Sequence, residues 1–146
     1  MADVDNRNEF TDEVPDETVR GFERLLTAAM IACGELPSTY EFEPAFVRLL
    51  DYLLEHPELK PYAVQRFLFV LTPAGGGGGE LVPFCMHTLR WEEVRAVVKE
   101  WADVAYAKND WRALPVFIDV LASYDDEWKD GSLFLYYEQE SDEKPG

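Results

Sequence analysis

The chain has 146 residues, 47% hydrophobic and 14% aromatic, and a net charge of −16 from 29 acids against 13 bases. This length and apolar content suffice to bury one core and exclude a wholly disordered chain, while the acidic balance disfavours nucleic acid, whose phosphates it would repel. No apolar stretch approaches the roughly twenty residues that cross a bilayer, and two cysteines, Cys33 and Cys85, are too few for a disulfide scaffold.

The charge is concentrated at the ends. Residues 1–17 carry Asp3, Asp5, Glu9, Asp12, Glu13, Asp16 and Glu17 against Arg7, and residues 123–146 carry eight acids against Lys129 and Lys144. The acidic N-terminus has no basic segment followed by an apolar one, so no secretory leader is expected. A reducing cytoplasm is the expected setting, with no membrane partner. The expected organisation is an acidic flexible stretch over 1–15, one helical domain over 16–137, and an acidic flexible stretch over 138–146.

Within the domain the apolar residues step by three and four. Val19, Phe22, Leu26, Ala29 and Cys33 mark one stripe of a helix from about Asp16 to Cys33, with Gly34 as its C-terminal cap. Pro44 suits a first helical position and opens a helix that carries Phe46, Leu49, Leu50, Leu53 and Leu54 on one face and stops at Pro57. Pro61 opens a shorter helix through Val64, Phe67, Leu68 and Leu71, closed by Pro73. These two helices are expected to form an antiparallel hairpin.

Gly75 to Gly79 are five consecutive glycines, read as a flexible surface link because they have no side chains to bury and maximal backbone freedom to lose. A phosphate cradle would want a strand before them and a Lys with Ser or Thr behind, whereas Glu80 follows. Leu81 to Leu89 is a short apolar segment. It leads into the clearest helix, in which Trp91, Val94, Val98, Trp101 and Ala105 keep the helical spacing. Asn109 and Asp110 supply turn and N-cap chemistry before a helix with Leu114, Phe117, Ile118 and Leu121 on one face, where Pro115 must lie in the first turn. The fold class is therefore all-α, about six helices, as a compact bundle or a short HEAT-like stack of antiparallel hairpins. Asp125, Asp126, Glu127, Asp130 and Gly131 mark a turn. The dense patch Leu133, Phe134, Leu135, Tyr136 and Tyr137 after it fits a short helix or a strand, docked on the core or held out as an aromatic anchor.

Chemistry-bearing motifs are scarce. Cys33, Cys85, His56 and His87 lack the closely spaced ligand pairs of a structural zinc site, so no metal is expected. Glu92 with Glu93 and Asp125 with Asp126 are adjacent, hence about 100° apart on a helix, and do not converge. No nucleophile elbow or paired-histidine helix occurs. No catalytic residue and no cofactor are assigned. The favoured reading is a non-catalytic interaction domain, an immunity- or antitoxin-like inhibitor or an adaptor, that binds a basic protein through Asp125, Asp126, Glu127, Trp128, Phe134, Tyr136 and Tyr137. The alternative is a small helical enzyme or ligand-binding domain with a pocket between helices near Cys85, His87, Trp91 and Trp101.

Overall fold

A computed structural model describes residues 14–76 and 80–137; the expectations for most of the two acidic ends lie outside them. Among the described residues there are six complete α-helices and three short 3-10 segments, and no strand. Helix α1 (Asp16–Glu35) starts behind Pro15 with Asp16 and Glu17 in its first turn, where carboxylates oppose the helix dipole. Phe22, Leu26 and Ala29 are buried as the stripe requires. The helix runs through Gly34, and it is Leu36 that ends it, in extended backbone with its N–H on the Ala32 carbonyl at 2.9 Å. Pro37 follows and disfavours helical backbone at Leu36, so no glycine cap is needed.

Helix α2 (Thr39–Glu55) begins more than a turn earlier than Pro44 predicts. Pro44 sits inside the helix on its exposed side, where it has no N–H to give the carbonyl four residues before it. The added turn buries Phe42 against Phe46, with ring centroids 5.1 Å apart, and it buries Glu43. That burial outweighs the broken hydrogen bond.

The expected hairpin of α2 with the following helix gives way to one of α2 with α1. The Tyr52 hydroxyl, near the end of α2, donates to the Thr18 carbonyl near the start of α1 at 2.9 Å, so the two run antiparallel. Gly21 permits this approach, because a Cβ there would collide with the Tyr52 phenol. After a 3-10 turn at Pro57–Leu59, helix α3 (Lys60–Val70) crosses to α5 instead. Its Phe67 lies between Phe22 and Trp91, and Glu23 of α1 receives Tyr62 at 2.6 Å and the Arg66 Nε at 2.8 Å. Burial together with this carboxylate pushes the Tyr62 phenol up to about 12.

The glycine run is not a featureless link at its start. Gly75 closes a 3-10 turn, Pro73–Gly75, in which a Cβ would strike the Phe69 carbonyl, and Gly76 is left-handed with φ of 100°. Residues 77–79 lie outside the described residues.

Helix α4 (Leu81–Leu89) is the centre of the molecule. Leu81 through Met86 are all buried, as befits a helix that is apolar on every side, and it touches α1, α2 and α6. This central helix makes the architecture a bundle. Helix α5 (Glu92–Ala107) buries Val94, Val98, Ala102 and Ala105, and helix α6 (Leu114–Ala122) packs on it. Asp110 caps the turn between them by accepting the Ala113 N–H at 3.2 Å, and Pro115 falls in the first turn of α6.

Candidate functional site

The segment after α6 builds one wall of a concave surface that combines acids with exposed apolar groups. It is neither strand nor free anchor: Lys129–Leu133 is a 3-10 helix, and residues 135–137 continue as helix. The turn that starts it is held by Asp125, whose side chain accepts the Glu127 N–H at 2.9 Å, and by Asp126, which pairs with Arg90 at 2.9 Å. Both acids and Glu127 are exposed.

The aromatic residues of the segment go the other way. Trp128, Phe134 and Tyr137 are buried, at 9%, 2% and 7% exposure, so they are core and cannot serve as protruding anchors. Phe134 packs on Phe84 at 4.8 Å and on Phe46 at 6.2 Å, while Trp128 packs on His87 at 5.0 Å. Tyr137 donates to the Phe84 carbonyl and shares a 2.8 Å hydrogen bond with Thr88. Tyr136 is half-buried against Phe84. The apolar effect and edge-to-face ring geometry thus claim the rings that the sequence offers to a partner.

Glu43 fastens this wall. Its two oxygens accept the Leu135 N–H at 3.0 Å and the Tyr136 N–H at 2.7 Å, although the residue is only 5% exposed. A buried carboxylate is tolerated because charge-assisted bonds to backbone donors replace its water. Nothing in the sequence pattern marks Glu43, since its partners are more than ninety positions away.

Two recesses flank the segment. On one side a cleft of about 140 Å³ is walled by Pro83, Trp128, Leu133 and Phe134 and edged by Glu80, Asp119 and Asp130. On the other a groove of about 390 Å³ is lined by Tyr40, Glu43, Pro44, Val47 and Leu135. In the cleft, partial withdrawal from water raises the carboxyls of Glu80 and Asp119 above their ordinary values, and repulsion from Asp130 adds to it. Both residues keep much solvent contact, so the effect on stability is modest.

The sign follows from proton linkage. A carboxyl raised in the folded state holds its proton more readily there than in the unfolded chain, so its contribution to stability is present below the unfolded values, 4.5 for Glu80 and 3.8 for Asp119, and is lost as pH rises through the raised ones. The variant Glu80→Gln/Asp119→Asn should therefore match or exceed the parent at neutral pH by at most about 1 kcal/mol. That difference should shrink as pH falls below 4.5. Urea unfolding of both proteins at the two pH values checks it, and a variant less stable at neutral pH would refute it.

The residues of the alternative reading are each committed elsewhere. Cys85 is fully buried, which drives its thiol far up and keeps it protonated, the opposite of an activated nucleophile. His87 Nδ1 lies 2.8 Å from the Ser123 carbonyl, Trp91 packs on Phe67, and Trp101 packs on Phe117. Cys33 is half-buried on α1, with its thiol raised by burial, and His56 stacks on Tyr52 beside Glu58. Among the described residues no group of three or more His, Cys, Asp or Glu is placed to hold a metal ion. No described helix is long and apolar enough to cross a membrane.

The class these features define is a compact all-α domain with an acid-edged cleft. No protein-family model, curated protein or solved structure matches the chain.

Proposed function

We propose that this chain is a non-catalytic interaction domain that captures a basic protein, as an immunity- or antitoxin-like inhibitor or an adaptor would. The observation that carries this reading is the cleft in which Glu80, Asp119 and Asp130 edge the apolar surface of Pro83, Trp128 and Leu133. A lysine or arginine side chain suits such a recess, its methylene stem against the apolar wall and its cationic head among carboxylates. Asp125, Asp126 and Glu127 lie on the turn immediately before and extend the field outward, with Tyr136 as the least buried of the four expected aromatic contacts. Trp128 and Phe134 form the inner wall of the cleft, and Tyr137 supports it from beneath.

Complementary charge speeds encounter more than it slows dissociation. With a partner recovered by affinity capture from the native cell and identified by mass spectrometry, the on-rate should fall steeply with salt. Neutralising the cleft as Glu80→Gln/Asp119→Asn/Asp130→Asn should lower that on-rate about tenfold or more at low ionic strength. The triple change at Asp125, Asp126 and Glu127 should lower it less, since Asp126 is already paired with Arg90. An on-rate indifferent to salt and to both triples would leave the acids as a solubility device and defeat the proposal.

A further inference from the structure

We propose that Leu133 and Leu135 form the ridge of a single docking surface, on which a basic partner segment seats an apolar side chain in the Tyr40–Leu135 groove and a Lys or Arg in the cleft opposite. This deepens the reading above and rests on it. Phe134 is a single extended residue, φ −110° and ψ 129°, between the 3-10 helix that ends at Leu133 and the helix that begins at Leu135. Phe134 is 2% exposed while Leu133 and Leu135 are 60% and 44% exposed. One leucine edges the cleft and the other the groove. Single exposed apolar residues mean little, but Tyr40, Pro44, Val47 and Leu135 share one concavity, with Tyr40 at 74% exposure. The Glu43 carboxylate holds the Leu135 and Tyr136 backbone, so the ridge is ordered before anything binds, which lowers the entropy lost on binding.

Charge selects the occupant. Glu80, Asp119 and Asp130 edge the cleft half of the surface, and the chain as a whole carries a net charge of −16. A second copy would bring another net charge of −16, and residues 1–13 carry Asp3, Asp5, Glu9, Asp12 and Glu13 against Arg7. Both are repelled by this surface, whereas a basic segment with apolar side chains is complementary in each half.

The test uses the full chain and two synthetic helical peptides of equal positive charge, one of lysine and leucine, the other with serine for every leucine, measured by fluorescence anisotropy. The Lys/Leu peptide should bind about tenfold more tightly or better, the scale of burying one or two apolar side chains. Tyr40→Ser/Leu135→Ser should erase that advantage and leave the Lys/Ser peptide and the melting temperature as they were. Leu54→Ser, a control at another exposed apolar position of α2, should change nothing. Equal binding of the two peptides, or an advantage that survives the double substitution, overturns groove docking while the basic-partner reading stands. Failure of both peptides to bind overturns the two together. A dimer in sedimentation that the double substitution dissociates, or Lys/Leu binding strengthened by Phe10→Ser, would assign the groove to a second copy or to the chain's own N-terminus and refute the proposal.

Discussion

Phe84→Ala should destabilise the protein by about 3–5 kcal/mol, the cost of removing a buried phenyl ring whose surroundings relax only partly. Phe84 is fully buried on the central helix α4, and its ring meets Phe46 at 5.5 Å, Phe134 at 4.8 Å, Tyr136 at 5.8 Å and Tyr137 at 5.1 Å. Total stabilities of single domains are about 5–15 kcal/mol, so the loss is a large share of the whole. For a chain of this size each kcal/mol shifts the melting temperature by roughly 2–4 °C, which places the expected drop near 10 °C. Because three of the four rings belong to the C-terminal segment, the Leu135 and Tyr136 amides should also exchange faster with solvent deuterium. A loss within about 1 kcal/mol, measured by urea unfolding, would mean that the ring cluster is far less packed than its geometry requires.

Glu43→Ala should cost about 1–3 kcal/mol, since it leaves two partly buried backbone donors, Leu135 N–H and Tyr136 N–H, without their charged acceptor. The effect should be local. Hydrogen exchange should rise at Leu135 and Tyr136 far more than in α5, and limited proteolysis should begin to cut between Gly131 and Tyr137. Glu43→Gln keeps one carbonyl acceptor but turns an NH2 group toward the second donor, so it should fall between parent and alanine variant. Unchanged exchange at both amides would show that ring packing alone holds the segment. The same substitution bears on the binding we propose, because Leu133 and Leu135 edge the cleft and the groove respectively, and a loosened segment would degrade both recesses.

Local chemistry was enough for much of this molecule. The three-and-four spacing of Trp91, Val94, Val98, Trp101 and Ala105, Asp110 in the turn before α6 and Pro115 in a first turn each act through neighbours within about one helical turn. Where a local signal had a tertiary competitor, the competitor prevailed. Pro44 lies inside α2 because one more turn buries Phe42 and Glu43. Gly34 is bypassed because Pro37 already ends α1 through Leu36. The partner of α2 is α1 because Gly21 lets Tyr52 reach Thr18, a contact across 34 positions.

The candidate site was legible only in part for the same reason. That acids and aromatics crowd the region after α6 is written in composition. Which rings face inward, that Glu80 and Asp119 converge with Asp130 on one cleft, and that Glu43 ties down the wall between two recesses depend on residues far apart in the chain. Hydrophobic periodicity specifies which face of an element is buried, but not against which other element. That choice belongs to side-chain packing and to hydrogen-bond partners that exist only once the chain has closed on itself.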